Sequence, residues 1–322
     1  MSKSDLVDIN SLSVKNLNDI MLMTEIIKND IASSDIKLLN NKTLAMIFQK
    51  ASTRTRVSFE TGMYQLGGHA LFLNSDDIQL GRGETVSDTA KTLSQFVDCI
   101  MIRTFEHEYV QKLAEFSDVP VINGLSDLVH PCQVLSDFYT VIEHFKWRIN
   151  ADFSSLKIAY IGDGNNISNS LINLAGLRDI NLSIACPVGY EPNKEIFEFN
   201  KAKMKKSEIQ ITTDPNRAVV GAHVVYTDVW ISMGKEEEKQ KRLNEFAAYQ
   251  VNANLMSKAD KNAVFMHCLP AHRAEEVSGE VMDGVQSIVF KQAGNRMHVQ
   301  KAILAYLLGY DSSILLELLS DA

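Results

Sequence analysis

Two series of short apolar runs, separated by helix-length segments, constrain this chain more than any other feature of its sequence. The first series occupies 43–48, 69–73, 99–103 and 119–123. The second occupies 157–161, 182–186, 209–213, 224–227, 264–266 and 287–290. Runs this short, apolar throughout and alternating with helical patterns read as strands buried on both faces, that is, parallel sheets covered by helices. At 322 residues the chain exceeds one ordinary core and fits two domains. The expected fold class is therefore α/β, with two domains at 1–147 and 148–322, each a parallel β-sheet covered by helices. Segment 16–27 reads as an opening helix and 135–146 as the helix joining the two series. The apolar stretch 301–318 is expected to form a final helix that packs back on the first domain.

The densest chemical signal follows the first apolar run. Ser52-Thr-Arg-Thr-Arg56 sits where a strand should end and a helix begin, and Phe59, Met63 and Leu66 give that helix an apolar stripe. A helix start presents unpaired backbone N–H groups and the positive end of the helix dipole. Hydroxyls add donors, and guanidinium forks match phosphate oxygens. The stretch is expected to bind an anion.

Other polar clusters fall just after apolar runs, where ligands gather in parallel α/β sheets. They are Arg103, His130-Pro-Cys-Gln133, Asp163-Gly-Asn-Asn166, Asp228, His267-Cys-Leu-Pro270 and Asn295-Arg296. Gly162-Asp-Gly-Asn-Asn166 lacks the third glycine of a dinucleotide fingerprint, because Ile167 stands there, and the next run ends in Cys186-Pro187 without a ribose-binding acid. Asn166 reads better as an amide that grips a polar substrate. His267-Cys268 has no further ligands at metal-site spacing, so no metal or other cofactor is expected. Neighbours on a strand point to opposite faces, so His267 activates Cys268 only if the chain turns there.

Taken together and in order, these motifs resemble the aspartate/ornithine carbamoyltransferase family. Gln79-Leu-Gly-Arg-Gly-Glu84 belongs to the pattern, and Asp228-Val-Trp-Ile-Ser-Met-Gly234 with His267-Cys-Leu-Pro270 are the signs of its ornithine type. The resemblance implies carbamoyl phosphate bound mainly to the first domain and L-ornithine to the second. It implies transfer of the carbamoyl group to the ornithine δ-amine, giving L-citrulline and phosphate. By the same resemblance Ser52, Thr53, Arg54 and Thr55 hold the phosphate. Arg103, His130 and Thr55 face the carbamoyl oxygen, Gln133 faces the carbamoyl amide, and Gln79 lies near carbamoyl phosphate. Asn166, Asp228, Ser232 and Met233 bind ornithine, while Cys268, Leu269 and Arg296 close the site. Arg54, Arg103, His130, Asp228 and Cys268 are the implied catalytic set. The family also implies a homotrimer or a multiple of trimers. The sequence departs mildly from the family at Gln49-Lys50-Ala51 and at Lys291-Gln292. A transferase of the same family acting on another amine, such as putrescine, is the alternative.

Composition narrows the partners. A net charge of −8 argues against nucleic acid. An N-terminus without a signal-peptide core and the lack of any 18-residue apolar run argue against a membrane. Four cysteines without C-x-x-C spacing fit a reducing cytoplasm. Ser232-Met-Gly234 and the charged residues after it suit a lid over the amino acid.

Overall fold

The computed structural model describes residues 3–75, 83–231 and 236–321. It divides into two compact units: Met1–Asn150 with Gly294–Ala322, and Ala151–Ala293.

The first unit contains β1 (Thr43–Phe48), β2 (His69–Asn74), β3 (Cys99–Arg103) and β4 (Val121–Leu125), with α1 (Val14–Asn29), α2 (Thr53–Gln65), α3 (Val86–Leu93), α4 (His107–Phe116) and α5 (Pro131–Phe145). Its strands lie in the order β2-β1-β3-β4, and every pair is parallel. β1 and β3 are central, and the side chains of Leu44, Met46, Ile100 and Ile102 are fully buried. That burial on both faces is why these strands read as unbroken apolar runs. β2 is an edge strand and leaves Leu71 and Phe72 exposed.

The second unit contains β5 (Lys157–Ile161), α6 (Asn166–Arg178), β6 (Asn181–Ala185), α7 (Lys194–Lys201), β7 (Ile209–Thr212), α8 (Pro215–Val219), β8 (Val224–Thr227), α9 (Lys239–Phe246), α10 (Ala253–Met256), β9 (Val264–His267) and α11 (Gly279–Met282). The sheet runs β7-β6-β5-β8-β9, again parallel throughout. The order reverses between β5 and β8, which puts the carboxyl ends of these strands at a topological switch point. The turn from β5 into α6 requires Gly164, because a Cβ there would sit 2.3 Å from the backbone of Glu191.

Two expectations fail. Segment 287–290 is no strand: Ser287 makes a single bridge to Phe265, and α12 (Val289–Leu307) begins two residues later. An apolar run of four residues does not distinguish a strand from the first turn of a helix. Stretch 301–318 is not one helix either. It is the end of α12 and α13 (Ser312–Ser320), bent by 98° across Gly309, whose φ of +97° an L side chain rarely adopts. Residues 294–322 belong to the first unit, where Ser312 N–H donates to Asp19 on α1 at 3.2 Å. No single helix among the described residues is long and apolar enough to cross a membrane.

Candidate active site

In the first unit, α2 starts where the sequence places it. Ser52 is the N-cap, and its Oγ accepts from Thr55 N–H at 3.1 Å. The first turn of α2 thus carries Thr53, Arg54 and Thr55 at the carboxyl end of β1. The two arginines of the motif have different surroundings. Arg56 donates to Glu60 at 2.9 Å and stacks over Phe72 at 3.8 Å. Arg54 is half-buried and makes no hydrogen bond or ion pair with any described residue. Lys50, just before the turn, is tied to Asp127 and lies over the Phe105 ring at 4.2 Å.

Arg296, on α12, gathers the remaining pieces. Its guanidinium donates to Thr55 Oγ1 at 2.6 Å, to Gln133 Oε1 at 3.1 Å and, more weakly, to His130 Nε2 at 3.4 Å. Gln133 passes its amide on to Asp137 at 2.8 Å. Neighbouring Asn295 donates to Thr140 at 3.0 Å and to Glu143 at 3.1 Å, which fixes the register of α12 against α5. His130 ends the β4–α5 loop, with Pro131 opening the helix, and Arg103 ends β3 at a register shift. Both are buried.

Burial pushes the His130 pKa well below the ordinary histidine value, and Arg296, Arg103 and Arg54 push it further in the same direction. The ring is therefore neutral at working pH. Because arginine only donates, Nε2 accepts and the neutral ring carries its proton on Nδ1. The His130 ring resonances are expected to show no inflection between pH 8 and pH 5.5 in an NMR titration. An inflection near 6.5 assigned to His130 would contradict this environment. The stability consequence has a definite sign. As pH falls below 6.5 the unfolded chain takes up the proton and the native chain does not, so the contribution of His130 to stability declines with acidification.

In the second unit, Asp228 follows β8 and is buried. Its Oδ2 accepts from Asn165 Nδ2 at 2.8 Å. Its Oδ1 accepts from Val229 N–H at 2.8 Å and from the Cys268 thiol at 2.9 Å. Asn165 is also the N-cap of α6, accepting from the N–H groups of Ile167 and Ser168. Asn166, singled out in the sequence, stands beside it in the first turn of α6 and is half-buried.

The loop after β9 is held by His267. Its Nδ1 accepts from Leu269 N–H at 2.8 Å, which holds Leu269 at a φ of +60°. Its Nε2 pairs with buried Glu276 at 3.1 Å. The His267 backbone N–H donates to Gln292 at 3.0 Å. Asp228, His267 and Cys268 each bring one donor atom within 4.8 Å of the others, a proximity invisible in sequence spacing. Both ring nitrogens of His267 are already engaged, so the ring neither activates Cys268 nor turns a lone pair toward a cation. Sequence reasoning missed Asn165 and Glu276. Asn165 is half-buried and Glu276 fully buried, and each is recognisable only once the fold brings it against Asp228 or His267.

Gln79, Ser232 and Met233 lie outside the described residues. Residues 237–241 are exposed, whereas Arg242 is buried and donates to Asp163 and to the Trp230 carbonyl, each at 2.9 Å.

Two sequence profiles match. Residues 4–143 match "Aspartate/ornithine carbamoyltransferase, carbamoyl-P binding domain", and residues 154–307 match "Aspartate/ornithine carbamoyltransferase, Asp/Orn binding domain". The chain belongs to the aspartate/ornithine carbamoyltransferase family. It is 54% identical over 303 residues to an ornithine carbamoyltransferase of Methanobrevibacter smithii, covering 93% of this chain and 99% of that one. It is 52% identical over 307 residues to an ornithine carbamoyltransferase of Bacillus subtilis, covering 94% and 93%. Among solved structures, the ornithine carbamoyltransferase of Pyrococcus furiosus superposes with a TM-score of 0.90 at 44% identity, covering 96% of this chain and 98% of that one.

Proposed function

We propose that this chain is an ornithine carbamoyltransferase, moving the carbamoyl group of carbamoyl phosphate to the δ-amine of L-ornithine and releasing L-citrulline and phosphate. The observation that carries the proposal is the Arg296 guanidinium bound at once to Thr55 and Gln133. It unites the Ser52–Arg56 turn, the His130–Gln133 turn and α12 in one cationic cradle.

The chemistry follows from the residue types. Phosphate is held by the N-terminal N–H groups of α2, the hydroxyls of Ser52, Thr53 and Thr55, and the Arg54 guanidinium. As the amine attacks, negative charge grows on the carbamoyl oxygen. Arg103 and neutral His130 face that oxygen, and such preorganised donors contribute about 2.7–4 kcal/mol each. Gln133 binds the carbamoyl amide, and Arg296, with Cys268 and Leu269, completes the carbamoyl phosphate contacts. Gln79 is a further contact of the same substrate. A free alkyl amine titrates near the lysine value, about 10.4, so the reactive neutral form is scarce at neutral pH. Asp228 and Cys268 orient that amine, and Asn166, Ser232 and Met233 hold the amino-acid end. The departing phosphate is a base able to take the proton.

The functional assembly is a homotrimer or a multiple of it, working in the cytoplasm. Exposed Leu71 and Phe72 on edge strand β2 and exposed Val57 on α2 supply apolar surface that an assembly would cover. The four free cysteines fit a reducing compartment.

The test is carbamoyl transfer by purified protein with carbamoyl phosphate and, separately, ornithine, putrescine, aspartate and N-acetylornithine. Citrulline formation with ornithine and little product from the others is expected. Preference for putrescine would overturn the substrate assignment while leaving the phosphate cradle intact. Binding of carbamoyl phosphate with no turnover on any amine would overturn the enzymatic reading.

A further inference from the structure

We propose that a cavity in the first unit, between the C-terminal end of α2 and α12, binds a small organic or inorganic anion carrying a carboxylate or phosphate group. The cavity measures about 620 Å³, within the usual range of small-molecule sites. Its lining includes Ser34, Lys37, Tyr64, Gln65, His298 and Lys301, and contains no carboxylate. In a chain of net charge −8, a cavity edged by two lysines without an acid is a local reversal of sign, and burial draws His298 down to about 4, so its neutral ring serves as a hydrogen-bonding group.

Lys301 is the centre of the argument. Lys301 is only 1% exposed, and its one side-chain hydrogen bond among the described residues runs to the neutral Oε1 of Gln65 at 3.0 Å. It has no carboxylate partner among the described residues. Buried lysines are ordinarily paired, because an ammonium without a counter-charge is costly to desolvate. Burial alone draws Lys301 down to about 8, so it remains largely charged at neutral pH. His298, one turn back on the same face, presents a buried Nδ1 with no hydrogen-bond partner. Lys37 and Tyr64 are exposed at the rim and add a cation and a hydroxyl. An anion seated here would meet the charge that the protein leaves unmatched.

The cavity is separate from the phosphate cradle. Ser52–Thr55 lie at one end of α2 and Tyr64–Gln65 at the other, about 18 Å apart along the axis at the helical rise, while on α12 Arg296 serves the cradle and Lys301, five residues and about 7.5 Å further on, serves the cavity. The site therefore does not depend on the catalytic reading.

Isothermal titration calorimetry on the full chain tests the proposal. The cradle is first filled with phosphonoacetamide, an unreactive isostere of carbamoyl phosphate, and inorganic phosphate and malonate are then titrated separately. Saturable one-to-one binding of at least one anion is expected, weakened tenfold or more in Lys301→Met and unchanged in Arg54→Met. Tighter binding of phosphate identifies a phosphate ligand, and tighter binding of malonate a carboxylate. Lys37→Gln, on the exposed rim, is expected to weaken binding by a smaller factor and covers the case in which Lys301→Met does not fold. Absence of binding by both anions would overturn the site. So would binding that survives Lys301→Met and Lys37→Gln, or that is lost in Arg54→Met.

Discussion

Replacing Arg54 with methionine is expected to lower kcat/KM for carbamoyl phosphate by about a hundred- to a thousandfold, or about 2.7–4 kcal/mol of transition-state stabilisation. The fold should survive, since Arg54 forms no hydrogen bond or ion pair with a described residue. Its guanidinium stands on the first turn of α2, beside the dipole end and the hydroxyls that attract phosphate. Arg56 provides the control. It differs in sequence by two positions, but its charge is already spent on Glu60 and its face on Phe72. Arg56→Met should leave kcat/KM within a few-fold of the parent and cost at most about 1 kcal/mol of stability. Steady-state kinetics with thermal denaturation separate the two variants. Equal losses in both, or a near-normal Arg54→Met enzyme, would refute the assignment of Arg54 to the cradle.

Asp228→Asn is expected to reduce kcat/KM for ornithine by about a hundredfold, close to the worth of one buried charge-assisted hydrogen bond. The KM for carbamoyl phosphate should change little. The substitution is isosteric, so the contacts from Asn165 and Val229 set the stringency of the test. Asn165 Nδ2 and Val229 N–H both donate to the carboxylate, and an amide can satisfy only one of them with its oxygen. Cys268→Ser should be milder, retaining measurable turnover with altered ornithine affinity, because the thiol serves as a contact to Asp228 Oδ1 at 2.9 Å. Abolished turnover in a folded Cys268→Ser protein would argue against the role of a contact and remove this account. An unchanged KM and kcat for ornithine in Asp228→Asn would remove Asp228 from the site.

The parallel strands were legible because burial on both faces erases polar alternation. Leu44–Phe48 and Ile158–Ile161 are apolar at nearly every position and are strands in the structure. The α2 N-terminus was legible because its cap, its hydroxyls and its arginines are contiguous in the chain. What could not be read depends on partners far apart in sequence. Glu276 resembles any surface acid until His267 is seen against it, and Asn165 resembles a turn residue until Asp228 arrives from 63 positions away. The apolar tail misled for a local reason. Its hydrophobicity continues through Gly309, but the backbone there turns left-handed and ends α12.

The first unit is discontinuous in the chain, and this governs the order in which the protein can be completed during synthesis. Domains fold as they emerge from the ribosome, N-terminal segments first. Residues 1–150 emerge without Arg296, so Thr55 and Gln133 wait for their shared guanidinium until the final segment is translated. Residues 151–293 lack nothing of their own unit. The half made second is therefore whole first. A nascent chain released before residue 294 would carry a finished Asp228–Cys268 cluster, with Thr55 and Gln133 still lacking the guanidinium that joins them.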